Sequence, residues 1–143
     1  QGLWVVDSRG GGERRIINDR VLCFFWSPSG NEIAFVTPSS DSKGLLRWGI
    51  VDVRYDESLR YFADFRPSEE QLTIFMFFDQ YAQSHNPWSP DGRHLIFSGA
   101  TSQRKDGGSI SDAQKSRILV IDSRETDPPD EVADGLLGFW SPQ

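Results

Sequence analysis

The sequence predicts an all-β chain built from repeated four-stranded antiparallel units, and three observations carry that reading. Three segments share one form, Val5-Val6-Asp7-Ser8-Arg9, Ile50-Val51-Asp52-Val53-Arg54 and Val120-Ile121-Asp122-Ser123-Arg124, and 12 residues beyond each aspartate stands another, Asp19, Asp64 or Asp134. Each segment then runs through an apolar approach into Trp-Ser-Pro, at Trp26-Ser27-Pro28, Trp88-Ser89-Pro90 and Trp140-Ser141-Pro142. After the first two come matching runs, Glu32-Ile33-Ala34-Phe35-Val36 and His94-Leu95-Ile96-Phe97-Ser98. Self-similarity at a fixed spacing marks a repeat architecture.

Each element of the unit has a local reason. Strand 1 approaches the tryptophan. Pro28 or Pro90 presets φ at the second turn position, and Gly30 or Gly92 tolerates a positive φ at the end, so the chain reverses directly into strand 2. Strand 3 is the Val-Val-Asp run, whose Asp7, Asp52 or Asp122 stands where a carboxylate caps turn amides. Arg9-Gly10-Gly11-Gly12-Glu13 forms the hairpin turn into strand 4, Arg14-Arg15-Ile16-Ile17. Asp19, Asp64 and Asp134 fall in the crossover between units. Aspartates repeated in every unit argue for structure, since a catalytic group is expected once. Four short strands in about 45 residues describe a β-propeller blade.

The stretch from Trp88 through Asp91, Gly92 and Arg93 to Phe97, its partner at 26–35, and the run 3–16 resemble the WD40-like PD40 repeat of TolB-type β-propellers. Similar repeats occur in the propeller domains of prolyl-oligopeptidase-like peptidases. The resemblance covers most of the chain outside two insertions and is specific for fold, whereas propellers host many unrelated functions. Ser29 replaces the usual turn aspartate and still suits a reversal; Gln143 stands where the third turn would have one. Resemblance to TolB implies an extracytoplasmic bacterial setting.

The expected organisation is a single propeller segment over 1–143, with blade parts 1–20, 21–64, 84–134 and 135–143 and insertions at about 65–83 and 101–116. That gives about eleven strands, or two to three blades, where propellers close with roughly four to eight. An open arc exposes strand edges and apolar faces. Two arrangements remove them: further blades on a longer chain, or a second copy completing a six-bladed ring head to tail.

Composition narrows the partners. Fifteen Lys and Arg against 21 Asp and Glu leave a formal charge of −6, and the basic residues form no block, so nucleic-acid binding is disfavoured. The apolar runs are too short for a membrane-spanning helix of about 20 residues. Cys23 is the sole cysteine, which excludes an internal disulfide or a cysteine-based zinc site. The chain opens on Gln1 rather than Met, which leaves a signal or anchor upstream open.

Function is expected where the repeat is interrupted. The Asp7 to Asp52 interval is 45 residues, but Asp52 to Asp122 is 70. The excess falls between strands 4 and 1 and between strands 2 and 3, two connections that leave the same rim, and elaboration on one side of a rigid scaffold is where binding resides. The first insertion is aromatic; Ser68 with Gln71 has the form of a capping box that would start a helical turn near 69, although the Phe run equally suits a strand. Leu72, Phe75, Met76 and Phe78 read either as core or, with Phe77, Asp79 and Tyr81, as a partner-binding patch. His85 occupies the position of Cys23 and Leu137, three before the tryptophan, and is read as a polar substitution near the channel. Arg104 and Lys105, in a second insertion composed like a solvated loop, are candidate contacts.

Enzyme signatures are missing from the sequence: Gly-x-Ser-x-Gly, the P-loop, His-Glu-x-x-His and calcium loops do not occur. Asp79 with His85 is the one acid–base pair worth testing. The expectation is a non-catalytic scaffold without cofactor or metal, binding a protein or peptide. The alternatives are a substrate-gating domain of a larger prolyl-oligopeptidase-like hydrolase and a propeller that binds a sugar or other small ligand.

Overall fold

The computed structural model describes residues 2–55, 58–101 and 115–141. Ten strands and two helices follow one another among these: β1 (Leu3–Val5), β2 (Arg14–Ile17), β3 (Cys23–Trp26), β4 (Glu32–Pro38), β5 (Leu46–Asp52), β6 (Arg60–Tyr61), β7 (Phe65–Pro67), α1 (Glu69–Met76), α2 (Phe78–Tyr81), β8 (His94–Thr101), β9 (Arg117–Asp122) and β10 (Asp130–Asp134). Every pairing is antiparallel. The chain is all-β, apart from the two helices in the first insertion.

Local chemistry makes the units alike. Gly30 N donates to Ser27 O and Gly92 N to Ser89 O, both at 2.9 Å, and both glycines have positive φ, 75° and 70°. Ser29 does with a hydroxyl what Asp91 does with a carboxylate: Asn31 N donates to Ser29 Oγ at 3.3 Å and Arg93 N to Asp91 Oδ1 at 3.0 Å. Asp7, Asp52 and Asp122 each accept the amide two residues on, from Arg9, Arg54 and Arg124, at 2.8 to 2.9 Å. The same side chain in the same turn three times is the structural role the repetition implied.

The units stack through their faces. Ala34, Val36, Trp48 and Ile50 on one face of β4–β5 meet Leu95, Phe97, Leu119 and Ile121 of β8–β9. On the opposite face, Ile33, Phe35 and Val51 meet Leu3 and Ile17 of the β1–β2 hairpin. With both faces buried, residues 33–36 are apolar without alternation. The outer side of β8–β9 is covered by 135–141, where a Cβ on Gly138 would lie 2.8 Å from Ile96 and 2.9 Å from Ile118.

Three features depart from the expected organisation. The strand expected to approach Trp88 is reduced to a single bridge, Trp88↔Leu95. At the position of Phe25 stands Pro87, which accepts from Ile96 N at 3.0 Å but has no N–H to return. The lone strand expected in 135–140 forms no ladder either. Finally, β7 joins the units instead of lying in a pure insertion: Phe65 pairs with Leu46 of β5 and with Thr101 of β8, making one eight-stranded sheet in the order β10-β9-β8-β7-β5-β4-β3, with β6 beside β5. This sheet is open, and no helix is long and apolar enough to cross a membrane among the described residues.

Candidate functional site

The first insertion is built down into the core before it is presented outward. Ser68 caps α1, its Oγ accepting from Gln71 N at 3.1 Å as the sequence spacing anticipates. The Gln71 side chain departs from a capping box, for its Oε1 accepts from Ser98 N of β8 at 3.1 Å, while Ser68 Oγ lies 2.7 Å from Ser98 Oγ and donates to Leu136 O at 2.8 Å. Ser68, Gln71 and Ser98 are all buried. This network ties the helix start to the sheet and to the C-terminal segment.

Aromatic packing does the rest. Phe75 meets the Trp48 ring edge to face at 5.5 Å, and Phe65 stacks on Trp48 at 6.4 Å. Phe78 touches Phe24 at 5.1 Å and Phe25 at 6.2 Å. Burying Phe75 alone contributes roughly 1.5 to 3 kcal/mol. The aromatic run therefore divides: Phe75 is buried in the core and the half-buried Phe78 packs against it, while Leu72 (41% exposed), Met76 (63%) and Phe77 (52%) remain outward. Leu72 and Met76 stand one helical turn apart and form a ridge with Phe77.

A hollow flanks each side of this insert. One, about 650 Å³, lies between β3 and α2 and is lined by Phe24, Trp26, Phe78, Asp79, Gln83 and Asn86 among others. The other, about 250 Å³, lies between α1 and the C-terminal segment and is lined by Glu70, Thr73, Ile74, Tyr81, His85 and Leu137. Asp79 and His85 thus face different hollows, and no hydrogen bond or ion pair joins them among the described residues. The acid–base pair read from the sequence is not assembled.

His85 is not on an inner strand. Its amide donates to Tyr81 O at 2.7 Å, continuing the turn that follows α2, because Pro87 breaks the strand that would have carried it. Its ring lies edge-on between Tyr81 (5.0 Å) and Phe139 (4.9 Å), and Nδ1 is 2.7 Å from Ser84 Oγ. Phe139 and Leu137 were not singled out as site residues in the sequence. Arg104, Lys105 and Pro142 lie outside the described residues.

The roots of both insertions meet, as the strand directions require. Thr101, which leads into the second, pairs with Phe65, which opens the first, and Thr101 Oγ1 donates to Asp64 O at 3.3 Å. At the opposite ends of the strands the tight turns meet: Val53 N donates to Asn31 O and Ser123 N to Arg93 O, at 2.9 and 2.7 Å. Among the described residues no three His, Cys, Asp or Glu side chains converge to hold a metal ion. Compared with known families and curated proteins, the chain matches no protein-family model and no curated sequence, so the resemblance to PD40 repeats rests on the motifs themselves.

Proposed function

We propose that this chain is an arc of a PD40-type β-propeller and works as a non-catalytic scaffold that holds a protein or peptide partner on the rim carrying α1 and α2. The supporting observation is the division of the insertion into an anchored base, Phe75 and Phe78, and an outward apolar ridge, Leu72, Met76 and Phe77. A rigid base lowers the entropy lost on binding, and Met and Phe supply adaptable, high-area contacts. The resemblance to TolB adds the extracytoplasmic bacterial setting to this reading. A peptide library selected on the protein should yield binders that lose their hold on L72S/M76S/F77S while that variant melts within a few degrees of wild type. Binders held equally by both proteins would sink the proposal.

A second reading draws on the hollow between β3 and α2. Its aromatic walls with a few polar groups, Asp79, Gln83 and Asn86, have the make-up of a small-ligand site. In that case a sugar or amine panel contains a compound that raises the melting temperature of wild type and fails to do so in Asp79→Ala. Absence of any such compound removes this reading and leaves the first intact.

A further inference from the structure

The outward ridge of the first insertion is bracketed by acids. Glu69 opens α1 three residues before Leu72, with Glu70 beside it, and Asp79 stands in α2 three residues after Met76. Glu69, Leu72 and Met76 follow one another at helical spacing and are all exposed, so the carboxylate and the apolar side chains share one row. Between Pro67 and Asn86 the acids are Glu69, Glu70 and Asp79, and no Lys or Arg stands among them.

These charges are not cancelled. Several acids elsewhere are paired, Glu32 with Arg60, Asp52 with Arg54, Asp122 with Arg93 and Asp134 with Arg117. Glu69, Glu70 and Asp79 form no ion pair among the described residues. Their first-turn positions favour the helices through the helix dipole, but this leaves the field over Leu72 and Met76 negative.

Size and charge together select the partner. A ridge of three side chains is far smaller than the roughly 800 Å² that a folded partner covers, and suits a few side chains of a linear segment. A second copy laid ridge to ridge would set carboxylates against carboxylates, and an anionic lipid surface would meet the same repulsion. We propose that the segment held here is basic as well as apolar. Its apolar side chains lie against Leu72, Met76 and Phe77, while Lys or Arg on either side of them face Glu69 and Glu70 at one end and Asp79 at the other. The inference rests on the peptide-binding reading above and adds the partner's chemistry, with charge setting encounter and register.

A random peptide library selected on wild type, its binders sorted by whether L72S/M76S/F77S loses them, tests both levels. The ridge-dependent binders should carry apolar residues flanked by Lys or Arg. They should weaken from about 0.1 to about 1 M salt, as the Debye length falls from about 10 to about 3 Å. E69Q/E70Q/D79N should hold them about tenfold less tightly at low salt and equally at high salt, while melting within a few degrees of wild type. A binder whose Lys and Arg are replaced by Glu should fail on wild type and regain its hold on E69K/E70K/D79K; if that variant does not fold, E69Q/E70Q/D79N decides. Ridge-dependent binders without flanking bases, indifferent to salt or to E69Q/E70Q/D79N, or not rescued by charge exchange on a folded variant overturn this inference and leave the ridge reading standing. A library with no ridge-dependent binder overturns the ridge reading itself. A dimer that L72S/M76S/F77S dissolves, or ridge-dependent attachment to phosphatidylglycerol vesicles, names a different occupant and overturns the inference as well.

Discussion

The guanidinium of Arg60 on β6 donates through Nε to the backbone carbonyl of Ser123, 63 residues later, and so fastens one unit to the next at the strand ends opposite the insertions. Its Nη2 also pairs with Glu32 Oε2 at 3.0 Å. Ser123 is fully buried, so its carbonyl has little access to water as a substitute partner. Arg60→Met should cost about 2 kcal/mol, most of it from the charge-assisted bond to Ser123, since the partly exposed ion pair with Glu32 adds only about 0 to 1 kcal/mol. Urea unfolding would read this as a lower midpoint at constant slope.

Gly49 and Gly30 should fail on substitution for different reasons. A Cβ on Gly49 would stand 2.3 Å from the buried Phe35 ring, whereas at Gly30 nothing lies within 4 Å but φ is +75°. Gly49→Ala should therefore cost about 1 to 3 kcal/mol by overpacking, and Gly30→Ala about 1 to 2 kcal/mol by backbone strain. A double-mutant cycle with Phe35→Leu separates them: it should restore part of the loss at Gly49 and none at Gly30.

Ser68 serves α1, β8 and the C-terminal segment at once. Ser68→Ala should cost about 2 kcal/mol, the upper end for a lost helix cap, because the hydroxyl is buried. Amide exchange should quicken in the first turn of α1 and near Leu136 together. Faster exchange confined to the helix would show that the link to Leu136 carries little.

Asp52 and Asp122 set an acid limit. The Arg54 side chain donates to Asp52 and holds its carboxyl below the ordinary range. Burial works to raise Asp122, but the Arg124 amide and the Arg93 side chain outweigh it and the net shift is downward. For carboxyls depressed in the folded state, the stabilisation is present above the ordinary carboxylate pKa of about 3.9 and fades as pH falls through the lower folded values. Stability should therefore drop below about pH 4 in wild type and drop less steeply in Asp52→Asn/Asp122→Asn, whose amides can still accept the turn N–H groups. An acid limb of unchanged slope in that variant would assign the loss to other carboxyls.

The legible part of this fold is its local chemistry. Pro28 and Gly30, with Pro90 and Gly92, shape two reversals through φ, Asp7, Asp52 and Asp122 cap three turns by accepting the amide two residues on, and Ser68 marks the start of α1. All of these act within five residues, so the linear spacing contains them. The aromatic run 72–78 was ambiguous for the opposite reason. Phe75 and Phe77 are chemically alike, and only the position of Trp48, distant in sequence, decides that one is buried and the other exposed.

What the sequence determined by itself is the repeat: the unit, its turns, its capping aspartates and the site of its interruption. What the tertiary structure decided is how the units are joined. Phe65 sits between β5 and β8, Pro87 replaces a strand by a bridge, Asp79 and His85 are turned to separate hollows, and the indoles of Trp88 and Trp140 donate to the carbonyls of Phe25 and Pro87. Turn preferences depend on one residue's own torsions and near neighbours, whereas burial and pairing depend on which distant surface arrives opposite, and that is settled only when the faces pack.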